Sequence, residues 1–306
     1  MSEHIDGCVR PGNSGSGEDP VGRINIETKS FPAGRISNRK PKIGVIGLGS
    51  VGGALKAVMS NFFEVTGYDA IGDYDWGPVL DCDAVFVCVQ TPQGPDGRLE
   101  CSHVKDVLIR LSKDRYPGIV VIKSTLRVGF MDYAVRSFPT LKLVYSPEFM
   151  SERNGFLWTA NPDRIVLSGK EEYTDFVEGL YYWTDGTKII RTDFRSAEIG
   201  KLAHNAYIAL KVTFTNTMEK ISESADANAD DVMRIVYTDR RVNNSAHLEP
   251  HKGPYGGKCV PKDTAELINA FGDLSTLLKV ADEINTSIER QREEKVACTN
   301  PDHFDL

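Results

Sequence analysis

The sequence predicts an α/β fold: a doubly wound parallel sheet followed by a long central helix and a small all-α domain. Three observations predict it. Short apolar runs of strand length alternate with helical stretches from Lys42 to Ile190, the pattern of a sheet covered on both faces. A glycine-rich segment, Gly47-Leu-Gly-Ser-Val-Gly52, lies between the first apolar run and the first helical stretch. From about Ser196 the apolar spacing becomes helical.

The elements follow in order. Residues 1–40, rich in Gly, Ser, Pro and charge, read as a disordered leader. Strands are expected at Lys42–Ile46, Glu64–Tyr68, Ala84–Val89, Ile119–Ile122, Leu141–Tyr145, Ile165–Leu167 and Lys188–Ile190, with helices such as Gly53–Ser60 and His103–Ser112 between them. Only Ala70 to Asp83 separates the second strand from the third, which leaves little room for a helix plus a further strand. That edge of the sheet is therefore expected to be trimmed. Ser196 to Ala225, without proline and with Gly200 as its single glycine, reads as one long helix of the kind that joins domains or subunits. Its apolar spacing runs through Ile199, Leu202, Ala206, Leu210, Phe214, Met218 and Ile221. Asp230–Tyr237 and Thr276–Glu294 read as further helices. The expected domains are 41–195 and 196–297, with a frayed tail at 298–306.

Composition narrows the function. A chain of 306 residues supports two domains. Its formal charge of −7 argues against broad nucleic-acid binding. No apolar run approaches the ~20 residues of a membrane span, and the first forty residues lack the apolar core of a secretory signal. Six cysteines without CxxC pairs suit reduced thiols in the cytoplasm. The histidines are too dispersed for a metal site.

The glycine segment follows a strand and opens a helix. Gly47 permits a tight turn, Gly49 a close approach to phosphate, and Gly52 close helix–strand packing; Ser50 and Val51 start the helix whose N-terminus faces the anion. Asp69, twenty-two positions after Gly47, is placed at the end of the second strand to accept from ribose hydroxyls. Its charge would repel a 2′-phosphate, which favours NAD over NADP. Together these mark a Rossmann-type dinucleotide site.

A second segment, Gly253-Pro-Tyr-Gly-Gly-Lys-Cys-Val-Pro-Lys-Asp263, sets Cys259 after a glycine pair and just ahead of Pro261, a residue suited to a first helical turn. Thr264 to Asn269 is expected to continue that helix. A thiol at a helix start feels the positive end of the dipole, which favours the thiolate. The segment describes either a nucleophile or a turn in which a small cysteine merely packs. Elsewhere, Val121–Gly129 ends a strand in polar groups at the sheet's carboxyl edge, Tyr145–Glu152 brings carboxylates after another strand, and Glu198, Lys201 and Asn205 share one face of the long helix. A solvated lysine would be the ordinary reading of Lys201, and a helix-capping acid that of Glu148 or Glu152.

In order along the chain, GLGSVG (47–52), CVQTP (88–92), KSTLRVGF (123–130), SPEFMSE with NPDRIV (146–166), KLAHNAYIALKVTFTN (201–216), DRRV (239–242) and GPYGGKCVPKDT (253–264) resemble the UDP-glucose/GDP-mannose dehydrogenase family. The resemblance implies a four-electron oxidation of a sugar C6 alcohol to a carboxylate with two NAD, through a thiohemiacetal and a thioester on Cys259. It implies that Lys201 and Asn205 stabilise the oxyanion, and that Asp263 and Thr125 hold or activate water. Glu152 would act as general base on the thioester, with Glu148 beside the same pocket. Thr91 and Thr125 would contact the cofactor; Gly256, Arg241, Glu148, Glu152, Lys201 and Asn205 would face a nucleotide-sugar substrate. A homodimer through the 196–225 helix is also implied.

The chain departs from the family pattern in places. Ser151 stands where many relatives have Arg, Thr217 where an acid often follows the helix Asn, and Gln90 where a small residue is usual. Leu306 comes before the second doubly wound domain that the family uses to bind the nucleotide part of its substrate. Three readings follow: an active compact dehydrogenase of this type with a shortened or altered substrate, a non-catalytic or assembly subunit that keeps a dinucleotide site and the dimer helix, or a β-hydroxyacid dehydrogenase. The thiol segment has no role in the third chemistry.

Overall fold

The computed structural model describes residues 39–150, 154–184, 186–239 and 251–299. Seven strands, β1 (Lys42–Ile46), β2 (Glu64–Tyr68), β3 (Ala84–Val87), β4 (Ile119–Ile122), β5 (Lys142–Tyr145), β6 (Arg164–Gly169) and β7 (Lys188–Arg191), form one sheet in the order β2-β1-β3-β4-β5-β6-β7. The pairs β1–β2, β1–β3, β3–β4 and β4–β5 are parallel, whereas β5 meets β6 antiparallel and β6–β7 is again parallel. The sheet is thus mostly parallel, with one reversal that apolar periodicity does not register.

Alternation along each buried strand divides the core into two layers. Val85, Val87, Val120 and Ile122 face α3 (Ser102–Lys113), α4 (Phe130–Ser137) and the long helix α7 (Phe194–Ser224) through Leu108, Met131 and Leu202. Ala84, Phe86, Ile119 and Val121 face α1 (Ser50–Met59) and α6 (Glu171–Gly179) through Leu55, Val58 and Val177. Each fully buried Leu, Ile or Phe contributes about 1.5–3 kcal/mol of transfer free energy.

Strand β2 is an edge of the sheet, and only α2 (Gly77–Leu80) lies between it and β3. The short connection carries its own packing unit. Arg110 lies 3.9 Å over the Trp76 ring and donates 2.7 Å to the Tyr68 hydroxyl, while Trp76 Nε1 donates 2.7 Å to Asp114.

Beyond the sheet, α7 runs for 31 residues and α8 (Ala229–Thr238) follows it. Helix α9 (Val260–Phe271) packs along α7, and α10 (Thr276–Thr299) packs on both. The expected apolar stripe of α7 divides between two faces: Leu202 and Ala206 are buried, whereas Ile199 and Phe214 are 37% and 45% exposed. Helix α10 continues to Thr299, past the expected tail boundary at 298. Residues 1–38, most of the expected leader, and 300–306 lie outside the described residues. Among those described, no helix is long and apolar enough to cross a membrane.

Candidate active site

The site forms where the carboxyl ends of β1, β3, β4 and β5 meet α7 and α9. Strand order reverses between β1 and its neighbours β2 and β3, which opens a crevice at that edge. Gly47 has φ +88°, and a Cβ there would lie 2.9 Å from the Cys88 carbonyl. A Cβ on Gly52 would lie 1.8 Å from the Gly47 oxygen, so only glycine lets α1 start this close to β1. Gly49 caps α1 without a side-chain hydrogen bond; it and Ser50 are exposed, and Val51 is half-buried. The helix therefore offers its first N–H groups to an anion.

Asp69 is half-buried beside this loop. Its carboxylate accepts from the Ile71 N–H at 3.0 Å and the Leu48 N–H at 2.6 Å. Those two backbone donors hold its pKa below the usual carboxylate value. Thr91, after β3, is buried, and Thr125, after β4, is half-buried. The loop bearing Thr125 is tied down by Ser124 Oγ, which donates 2.7 Å to the Val89 carbonyl. This cradle fits a dinucleotide: a narrow glycine turn, an open helix N-terminus and a fixed carboxylate at the strand end.

Cys259 immediately precedes α9, with Pro261 in its first turn. Of Cys82, Cys88, Cys101 and Cys259, only the last is partly exposed. Burial pushes the Cys88 thiol up to about 12, which leaves it inert. The loop before Cys259 is held from two sides. Asn216 of α7 donates 2.6 Å to the Gly253 carbonyl. Asn285 of α10 accepts from Tyr255 N at 2.7 Å and donates to its carbonyl at 3.1 Å, while the Tyr255 hydroxyl donates 2.7 Å to Asp282. Gly256 in this loop is exposed, and Gly257 has φ +79°.

Behind the thiol lies a buried polar cluster. Asp263, fully buried in the first turn of α9, accepts from Asn205 Nδ2 on one oxygen and from Lys262 Nζ at 2.5 Å on the other. Lys201, one turn before Asn205 on α7, is 7% exposed, so the solvated-lysine reading fails. Burial pulls its pKa below the usual lysine value, and nearby Asp263 and Cys259 offset this only in part. No described carboxylate lies within ion-pair distance of Lys201 Nζ, which sits 5.3 Å from the centre of the Phe149 ring.

Among the described residues Glu148 caps no helix, since α5 (Gly155–Ala160) begins seven residues later. Its carboxylate pairs with Lys123 Nζ at 3.0 Å and accepts from the Phe149 N–H. Burial pushes the Glu148 pKa up, but the charge and hydrogen bond of Lys123, with the Phe149 N–H and the Lys201 charge, together outweigh it and leave the group below its usual value. Burial pulls Lys123 down, and Glu148 reverses that, leaving lysine above its usual value. A cavity of ≈ 20 Å³, room for one water, adjoins Lys123, Glu148, Arg164 and Tyr181. Glu198 serves structure: fully buried, it accepts from Gly129 N and Met131 N at 2.6 and 2.8 Å and caps α4.

The structure therefore brings Cys259, Lys201, Asn205, Asp263 and Glu148 to the carboxyl edge that also carries Gly47, Gly49, Gly52, Asp69, Thr91 and Thr125. Glu152 and Arg241 lie outside the described residues. Sequence reasoning missed Lys123, Asn216, Asn285 and Glu266 as supports. Helical phase was one available signal, since Asn216 lies eleven residues after Asn205 and Glu266 three after Asp263.

The glycine turn, the open helix N-terminus and the strand-end carboxylate define a Rossmann-type nucleotide-binding fold, and known proteins similar to this chain give its family. Residues 72–185 match the NAD binding domain, and residues 195–287 the central domain, of the UDP-glucose/GDP-mannose dehydrogenase family. The chain belongs to that family, and its cofactor is NAD. The first match begins after GLGSVG, so the phosphate loop rests on its own geometry. Relatives include a UDP-glucose 6-dehydrogenase of Bacillus subtilis, 31% identical over 220 residues, covering 68% of this chain and 50% of the relative. A UDP-glucose 6-dehydrogenase of Rhizobium meliloti is 32% identical over 220 residues, 67% of this chain and 49% of its own. A UDP-glucose dehydrogenase structure from Pyrobaculum islandicum superposes with TM-score 0.75 at 23% identity, covering 86% of this chain and 71% of that one. That likeness supports the fold. The chain spans about half the length of the curated relatives it matches.

Proposed function

We propose that this chain carries the catalytic machinery of an NAD-dependent nucleotide-sugar 6-dehydrogenase, most like UDP-glucose 6-dehydrogenase. The observation that carries the reading is the half-exposed Cys259 at the head of α9, backed by buried Lys201, Asn205 and Asp263. A reaction that only made a ketone would need no thiol there.

When bound, NAD supplies the hydride acceptor for each of two oxidations. The Gly47–Gly52 turn and the α1 N-terminus would hold its phosphates, Asp69 its ribose hydroxyls, and Thr91 and Thr125 would make further contacts with it. The C6 alcohol gives up a hydride to the acceptor and a proton to water, becoming an aldehyde. Cys259 thiolate adds to that carbon, and Lys201 with Asn205 stabilises the resulting oxyanion. Loss of a second hydride leaves a thioester on Cys259. Water, held by Thr125 and Asp263 and activated by Glu152, attacks it, releasing the carboxylate and the thiol. Glu148, Gly256 and Arg241 are assigned to substrate binding.

We assign dimerisation to the α7 face that exposes Ile199, Tyr207 and Phe214, and a cytoplasmic setting to a chain whose six cysteines lack CxxC spacing.

The test is a screen of UDP- and GDP-sugars for NADH formation. Two NADH per sugar consumed, with no acid product from Cys259→Ala, supports the reading. One NADH with a stable keto product indicates a hydroxyacid-type dehydrogenase. Tight NAD binding without turnover indicates a non-catalytic subunit.

A further inference from the structure

His204 stands between Lys201 and Asn205 on α7, is half-buried, and has no place in the chemistry above. Its Nδ1 lies 3.0 Å from Asn205 Oδ1. The hydrogen-bond directions around it are determined by chemistry. Asp263 takes the Lys262 ammonium on one oxygen, so it is a carboxylate and can only accept. The Asn205 atom facing Asp263 must then be its NH2 group, and the atom facing His204 its carbonyl oxygen. A carbonyl cannot donate, so His204 Nδ1 carries the proton.

The ring is held in place from the side. It meets Phe149 edge-on, with centroids 5.3 Å apart and planes at 89°. The Phe149 ring also lies beneath Arg164, at 4.1 Å, and beside Lys201 Nζ. The charged groups around His204 are thus Lys201 on its own helix and Arg164 with Asp163 at the start of β6. Burial pulls its pKa below the usual value despite the Asn205 contact, and the Lys201 and Arg164 charges act in the same direction. The neutral ring with Nδ1–H is the form that fits.

We propose that His204 is a positioning residue that orients the Asn205 carboxamide. With Oδ1 engaged by His204 and one N–H by Asp263, the second N–H is the group left to meet an oxyanion on the substrate. This rests on the nucleotide-sugar dehydrogenase reading, and its test separates the two.

The experiment has two arms on the full chain. Long-range ¹H–¹⁵N correlation of His204 near neutral pH is expected to show Nδ1–H; an Nε2–H tautomer would overturn the proposal, whether or not the protein turns over. Kinetics form the second arm. His204→Phe keeps a ring without the donor, and its kcat is expected to fall about tenfold, the worth of one neutral hydrogen bond, with KM for sugar and NAD unchanged. His204→Asn restores a donor near Nδ1 and should recover most of the loss. Wild-type kcat in a folded His204→Phe, or equal losses in both variants, contradicts the assignment. Absence of wild-type turnover counts against the parent reading, and the tautomer then decides the role of His204.

Discussion

Glu266 of α9 accepts a 2.8 Å hydrogen bond from the Leu99 backbone N–H, linking residues 167 apart in sequence. The same carboxylate, fully buried, takes Arg98 Nη2 at 3.3 Å, and Asn269 Nδ2 donates to the Gly97 carbonyl one turn on. These contacts pin the cysteine-bearing helix to the loop after β3, and so fix the thiol relative to the cofactor edge. Glu266→Ala strands a buried N–H at a cost of about 1–3 kcal/mol, while partly exposed Arg98 can be rehydrated. Urea unfolding should show that loss. kcat should fall with it, whereas NADH affinity, set by the opposite side of the crevice, should hold.

Gly52→Ala should abolish cofactor binding with little change in the fold elsewhere. The added methyl group meets the Gly47 carbonyl at 1.8 Å, and a backbone atom cannot move aside without opening the phosphate turn. Fluorescence titration with NADH measures this directly. Asp69→Asn should narrow the preference for NAD over NADP, because the charge that repels a 2′-phosphate is gone.

Much of this site was legible in the sequence, and the reason is local. Gly47, Gly49, Gly52 and Asp69 act through backbone turns and strand ends that a single βα unit encodes. Cys259, Pro261 and Asp263 sit in one helical turn. Lys201 and Asn205 were paired by their helical phase. What was not legible depends on tertiary contact. Lys123 reads as a strand-end lysine until Glu148 is brought from the neighbouring strand. Glu266 and Asn285 act on partners from other elements. The antiparallel join of β5 and β6 leaves no mark on either strand, since both are apolar runs. Ile199 and Phe214 obey helical spacing yet lie off the core face, because periodicity counts apolar residues without saying which side of the helix the core covers.

The Lys123–Glu148 pair predicts a change in the sign of pH dependence. In the wild type the folded Glu148 pKa lies below its ordinary value, so its contribution is present above the carboxylate range. It is lost as pH falls through the folded value, where the unfolded chain binds more protons. Lys123→Met removes both the charge and the hydrogen bond that chiefly oppose burial, and the carboxyl pKa should rise above the ordinary value. Stability of the variant should then fall as pH rises through the carboxylate range, opposite to this pair's effect in the wild type. Near neutral pH the loss should be about 3–5 kcal/mol, the effect of leaving a buried charge unpaired. Adding Glu148→Gln to Lys123→Met should recover much of it. Denaturant melts at several pH values read both effects.

The α7 face that exposes Ile199, Tyr207 and Phe214 should carry self-association. Sedimentation equilibrium is expected to show a dimer in the wild type and a shift toward monomer when Tyr207 and Phe214 are both changed to Lys. A monomeric wild type would remove this part of the proposal.

The most direct test of the central claim is the mass of the peptide containing Cys259, taken from an acid-quenched reaction with NAD and a nucleotide sugar during turnover. The account predicts Cys259 acylated through C6 of the sugar nucleotide, an adduct absent from Cys259→Ala. Oxidation of the sugar with that peptide unmodified at every quench time, and undiminished acid formation by Cys259→Ala, would contradict it.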